Sequence, residues 1–289
     1  TELQHSGASG ANITLDSSKN VTCENNLTVD GTTTLTGAVT LPAGTTSDTL
    51  SFRNKIINGA MQIHQRTGTS TATNGYTLDR WLSNSSNDGA WAITQSTTAP
   101  DGFGNSLKVD CTTADASLAA GQFAQINHRI EAQNLQDLAF GTSSAKTITL
   151  SFWVRSNKTG NFTVAIQQND NSSKQVSSVY AINTADTWEK KTITYAGDTS
   201  GVINNDNGQG LQISWNLALG STYTSGTARA AWTAYADADF GAGQAINIMD
   251  NTANEWLISG VQLEVGSTAT DFEHRSFGDE LARCQRYYW

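Results

Sequence analysis

The stretch from Lys146 to Ser156, KTITLSFWVRS, alternates strictly along its length. Ile148, Leu150, Phe152 and Val154 fall on one side, and Thr147, Thr149, Ser151, Trp153 and Arg155 on the other. A period of two is the spacing of a β-strand with one buried face, and it excludes an amphipathic helix there. The pattern recurs. Phe162, Val164 and Ile166 repeat it, as does Lys190 to Tyr195. Leu211, Ile213, Trp215, Leu217 and Leu219 oppose Gln212, Ser214 and Asn216. Further candidates are Tyr76–Leu82, Trp91–Gln95, Leu107–Cys111, Gln122–Ile130, which runs into a helical turn at 131–138, and Glu255–Val265. Short strands separated by Gly, Asn, Asp and Ser clusters predict an all-β antiparallel sandwich, a jelly roll, over residues 51–275.

The first fifty residues have a different texture. Ile13 and Leu15, then Val21 and Cys23, alternate around a turn at 16–20. Between Asn26 and Ala43 the chain then counts in sixes. Leu27 and Val29, Thr33 and Leu35, and Val39 and Leu41 recur, with Gly31 and Gly37 closing the first two units. One very short strand per repeat has almost no core of its own and buries apolar surface by pairing with other copies. Residues 1–50 are therefore expected to form a β-stem that assembles with other copies of itself and ends at Pro42-Ala-Gly44 and a linker.

The C-terminus reads as a helix. Ser276-Phe-Gly-Asp279 is a helix-start pattern, and Phe277, Leu281, Cys284 and Tyr288 then make one stripe. A helix this short is marginal alone, so residues 276–289 are expected to dock on the sandwich or on a neighbouring subunit.

Composition narrows the function. Charged residues are 15% of the chain, against about 25% in an average globular protein. Hydroxyl and amide side chains take their place. The net charge of −9, with no run of Lys or Arg, excludes a general nucleic-acid surface. No apolar stretch approaches the length of a membrane span. The start at Thr1 rather than Met points to processing or to a fragment of something longer. Cys23, Cys111 and Cys284 are odd in number and far apart, which fits reduced, buried thiols in a protein folded in a reducing cytosol.

Catalytic signatures are missing. His5, His64, His128 and His274 lack metal spacing, and no P-loop, nucleophile elbow or dinucleotide fingerprint occurs. No cofactor is expected. A glycosidase would need two carboxylates facing one cleft, which the linear sequence does not reveal. Calcium ligation by Asn204–Gly208 or Asp237–Asp239 is the weaker reading, because Asx-rich loops mostly make turns. No metal site is assigned.

Sugar binding pairs an aromatic face with Asp, Asn or Gln for the hydroxyls. Trp232, Tyr235, Asp237 and Asp239 lie together in GTARAAWTAYADADFGAG, a loop-like stretch with Tyr223 nearby. Edge-strand packing is the preferred reading of Trp232 and Tyr235. Trp153 is the other candidate, since it opposes the apolar side of its strand; a second buried layer or a subunit contact would place it there too. Trp215 and Trp256 read as core, and Trp188 as packing at a strand end.

The segments RNKIINGAMQIHQR and GYTLDRW, and the final EWLISGVQLEVGSTATDFEHRSFGDELARCQRYYW, resemble a module recurrent in bacteriophage tail fibres and related virion structural proteins. The resemblance covers the two ends of residues 52–289; the middle, 104–254, matches in β texture only. It implies a jelly-roll head, similar to carbohydrate-binding modules, at the tip of a slender homotrimeric stem. By the same resemblance the expected role is non-catalytic attachment of the virion to a host-surface glycan, alongside other phage tail or virion proteins. The protein would be made in the host cytoplasm and end in the virion. A decoration or connector protein is the alternative, and a polysaccharide depolymerase a third. Arg80 paired with a carboxylate is expected to fix the sandwich ends, with Glu264 as the other charged motif residue. Glu273, His274 and Arg275 are expected near subunit contacts.

Overall fold

The computed structural model describes residues 2–3, 13–15, 21–23, 52–66, 74–76, 78–170 and 173–288. The chain divides into two units, Thr1–Pro42 and Ala43–Trp289. In the first, β1 (Glu2–Leu3), β2 (Ile13–Leu15) and β3 (Val21–Cys23) pair antiparallel in the order β1-β2-β3. The alternation of Ile13, Leu15, Val21 and Cys23 is thus a hairpin. The hexads from 26 to 43 and the side chain of Cys23 lie outside the described residues.

The second unit is a sandwich of two antiparallel sheets. Its strands are β4 (Asn74–Tyr76), β5 (Trp81–Ser86), β6 (Ala90–Ser96), β7 (Ser106–Thr113), β8 (Phe123–Glu131), β9 (Ile148–Ser156), β10 (Gly160–Gln168), β11 (Lys174–Ile182), β12 (Glu189–Tyr195), β13 (Gln209–Leu219), β14 (Thr233–Ala234) and β15 (Glu255–Val265). The seven-stranded sheet has the order β14-β11-β10-β13-β8-β5-β4, and the five-stranded sheet β12-β9-β15-β7-β6. Helices are few. A 3-10 segment at Ala132–Leu138 follows β8, α1 (Asp237–Phe240) is one turn, and α2 (Phe277–Gln285) is the C-terminal helix.

Alternation decides the core. Ile148, Leu150, Phe152 and Val154 are fully buried and face Val164, Ile166, Ile213 and Trp215 of the other sheet. Phe152 bridges the layers, with ring centroids 5.2 Å from Tyr180 and 5.8 Å from Trp215, both edge-on. Trp215 and Trp256 are core residues, as their strand positions require.

Three sequence expectations change, and one strand had gone unforeseen. Tyr76–Leu82 is not one strand. Leu78 to Arg80 turn between β4 and β5, with Trp81 N donating to Leu78 O at 2.9 Å and Arg80 at φ 73°. β11 carries no clean alternation in KQVSSVYAI, so it escaped detection, yet it pairs with β10 over nine positions from Gly160↔Ile182 to Gln168↔Lys174. The stripe of α2 holds only in part. Cys284 is buried and Leu281 half-buried as expected, but Phe277 and Tyr288 are exposed and Glu280 faces inward. Arg80 makes no ion pair among the described residues. Its guanidinium donates to the Arg129 carbonyl and lies 3.5 Å from the Tyr287 ring centroid, a cation–π contact that ties the C-terminus to the body.

The motif residues at the two ends of the module are knitted to each other. Asn54 receives Ile56 N and Leu263 N on its Oδ1, at 2.9 and 3.1 Å, and donates to Val261 O at 3.0 Å. Asn58 bonds Ile63 N, Ile63 O and Asp79 O, and its carbonyl accepts Trp81 Nε1 at 3.0 Å. Its amide donates to the Glu280 carboxylate, which also meets Arg275 at 3.3 Å. Arg275 reaches back to the carbonyls of Asn54 and Ile56 and to Glu273 at 3.1 Å. Glu264, 2% exposed, holds Thr270 by its amide and hydroxyl at 2.9 and 2.6 Å. These groups satisfy buried backbone in an irregular segment that has no ladder to do so. Glu273 and Arg275 are thus bonded to each other and to Asn54, Ile56 and Glu280 within the chain.

Candidate functional site

The structure separates the sequence-chosen residues into three places. The loop after β13 lies against the outer surface of the seven-stranded sheet. Ser177 Oγ donates to Asp239 O at 2.9 Å, Gln175 Nε2 to Ala236 O at 3.0 Å, and Thr163 Oγ1 meets Gln244 Oε1 at 3.0 Å. That cover is why outward-facing Thr163, Gln175 and Ser177 are buried although they are polar.

Within this loop Trp232 and Asp239 serve the loop itself. Trp232 packs edge-on against Phe140, with centroids 5.4 Å apart, and its Nε1 donates to Ala196 O at 2.9 Å. Asp239 is 7% exposed and accepts Thr227 N and Arg229 Nε, each at 2.8 Å. Those donors, the Thr227 amide first, hold its carboxyl below the usual range. Tyr223 and Tyr235 share a cluster around Phe240, at 6.5 and 6.1 Å, and Tyr235 Oη donates to Asp237 at 2.7 Å. Burial, then the Asp237 charge, pushes both phenols upward. Asp206 Oδ1 accepts Gly208 N at 2.8 Å, an Asx turn.

Trp153 stands elsewhere, on the outer surface of the five-stranded sheet. It lies across from Lys190 of β12 and Ser259 of β15. Immediately after Ser259, β15 is bulged: Gly260 and Val261 intervene before pairing with β9 resumes at Gln262↔Ser151. The bulge opens a cleft of about 260 Å³ whose walls include Trp153, Phe103, Phe272 and His274. Gly260 is required twice over. Its φ is +59°, and a Cβ there would stand 2.6 Å from Phe103 Cζ and 2.9 Å from Trp153 Cδ1. Phe103, Phe272 and His274 hold one another at centroid separations of 4.9 to 5.2 Å, so this wall is braced before any ligand arrives.

Polar groups line the same cleft. Asp101, Asp271 and Lys190 are exposed, and none of their side chains forms an ion pair among the described residues. A rigid ring surface with uncommitted carboxylates and an ammonium can stack on an apolar face and bond hydroxyls around it. Sequence reasoning found Trp153 but missed its companions. Phe103, Gly260 and Phe272 come from two loops and a bulge that are distant in the chain, and only the bulged glycine leaves a signal, as a lone Gly inside a strand pattern.

No protein-family model matches the chain, and no curated protein sequence matches it. Solved structures do resemble it. The enzymatically active domain of tailspike protein 4 from bacteriophage CBA120 aligns at 12% identity and a TM-score of 0.40 over 73% of this chain, which spans only 21% of the tailspike's length. A family 4 carbohydrate-binding module aligns at 18% identity and TM-score 0.36, covering 73% of this chain and 99% of the module. The family 11 carbohydrate-binding module of a Clostridium thermocellum cellulosomal cellulase aligns at 13% and 0.36, covering 73% and 100%. These likenesses are distant, and what the protein does has to be read from its own residues.

Proposed function

We propose that the second unit is a glycan-binding head, non-catalytic, carried on a homotrimeric stem, and that it attaches a phage particle to a host-surface glycan. The observation that carries the binding reading is the Trp153 cleft, with a braced aromatic wall beside exposed polar side chains that form no ion pair among the described residues. The tail-fibre setting is supported by the two end motifs and by the hexad run. Three heads in register would turn weak single-site contacts into firm attachment.

The test is a glycan array and a host-cell adsorption assay with the full chain. Trp153→Ala is expected to weaken glycan binding at least tenfold, about 1.4 kcal/mol. Normal binding by that variant would remove the site from Trp153. Light scattering should give three times the 30.8 kDa chain mass; a monomer would sink the stem reading. Release of reducing ends from host polysaccharide would replace the non-catalytic reading with hydrolysis, for which Asp101 and Asp271 in one cleft are the carboxylates to test first.

A decoration or connector role is the second reading. It is favoured by the exposed rings of Phe52 and Phe277, 67% and 61% accessible, which suit a protein partner better than a sugar. Saturable binding to another virion protein, without a glycan signal, would select it.

A further inference from the structure

We infer that the Trp153 cleft is selective for glycans that carry a positively charged substituent, such as a free amino group on the sugar ring. The inference rests on the glycan-binding reading above and narrows its ligand.

Four aromatic rings line the cleft: the indole of Trp153, the phenyl rings of Phe103 and Phe272, and the imidazole of His274. A cation placed over the indole or a phenyl ring is attracted by its π-face, and the attraction grows as water is excluded. A neutral sugar gains from one ring under its apolar side; several rings in a cavity of about 260 Å³ exceed that need. The charges point the same way. Asp101 and Asp271 both line the cleft and neither is neutralised by an ion pair among the described residues. Carboxylates on the adjoining five-stranded sheet are committed: Glu255 meets Lys108 at 2.9 Å and also contacts Arg155, Glu189 meets Lys191 at 2.6 Å, and Glu264 holds Thr270. Lys190 is the one lysine or arginine in the lining, against the two carboxylates. Its flexible side chain, exposed at the cleft, can turn to solvent or join an acceptor on the ligand.

The selectivity can be read directly. The full chain is titrated calorimetrically with β-1,4-linked glucosamine hexamer and with its fully N-acetylated counterpart at pH 6, where the free amines are largely charged, beside a panel of neutral oligosaccharides. Preference for the amine form by tenfold or more is expected. The double variant Asp101→Asn/Asp271→Asn should bring that ratio close to one, and Lys190→Ala should raise it. Equal affinities, a preference for the N-acetylated form, or a ratio unmoved by the double variant would overturn the inference. Neutral glycans bound through Trp153 with no amine preference would leave the glycan reading standing and remove this one. No binding to any sugar would remove both.

Discussion

His128 should make this sandwich sensitive to mild acid. The residue sits on β8 with its side chain fully buried, edge-on to Trp81 with centroids 5.1 Å apart. Its Nε2 lies 3.0 Å from the Ile57 carbonyl, so Nε2 carries the hydrogen and Nδ1 is the bare nitrogen. Nδ1 is buried and has no hydrogen-bond partner among the described residues. A second proton would place a cation there with nothing to accept its hydrogen bond, and near the Arg80 charge. Burial first, then Arg80, pushes the imidazole pKa down to about 3 from 6.5. The unfolded chain therefore takes up a proton that the folded head refuses. Stability is full well above pH 6.5 and falls as pH drops from 6.5 toward 3. From those two values the loss between pH 7 and pH 5 is about 2 kcal/mol, approaching ~5 kcal/mol below pH 3. Glu189, held near 2, adds its own loss only below about pH 4.5, so the upper window belongs to His128. Urea unfolding at pH 7, 6 and 5 would measure it. Every Trp lies beyond residue 80, so intrinsic fluorescence reports the head alone. His128→Gln, which can keep a donor toward Ile57, should flatten the pH dependence even if it lowers stability overall. A wild-type midpoint unchanged from pH 7 to 5, or the same slope in His128→Gln, would refute the reasoning.

Two further perturbations probe the frame around the cleft. Gly260→Ala forces a side chain into the left-handed region and against Phe103; a loss of about 1–3 kcal/mol in thermal or urea unfolding is expected, with weaker glycan binding. A variant that binds and unfolds like the parent would show that the bulge does not set the cleft. Glu280→Gln removes the buried partner of Arg275 and weakens the bond to Asn58 N; a loss of about 2–3 kcal/mol in the same assay is expected, and a change under 0.5 kcal/mol would mean Glu273 alone suffices for Arg275.

The parts legible in the sequence were those written in a local period. β9, β10, β12, β13 and β15 announce themselves by alternation, because their inward residues must be apolar and their outward ones need not be. β11 did not, because the loop after β13 covers its outer face and both sides of KQVSSVYAI are partly buried. The helix α2 was legible from Ser276, whose Oγ accepts Asp279 N at 3.2 Å, but its orientation was not. Apolar count favoured the Phe277–Tyr288 stripe. The fold instead needed Glu280 inside, because Asn58 N and Arg275 had to be satisfied. The candidate site was half legible. Trp153 stood out as an aromatic on a polar face; the loop aromatics stood out as well, and one of them, Trp232, is committed to Phe140 and Ala196.

By itself, then, the order of residues determined that this chain makes antiparallel strands with a shared apolar layer, ends in a capped helix, and lacks a basic footprint. Those are consequences of period, cap and charge, which act over a few residues. The tertiary structure decided which outward aromatic faces a cavity. That depends on a bulge at Gly260, on the loop that brings Phe103 over it, and on the tail that brings Phe272 and His274 beside it. Phe103 meets Gly260 and Phe272 across more than a hundred and fifty positions and Trp153 meets Gly260 across more than a hundred, and no local pattern encodes a meeting between segments whose distance is set only when both sheets have closed.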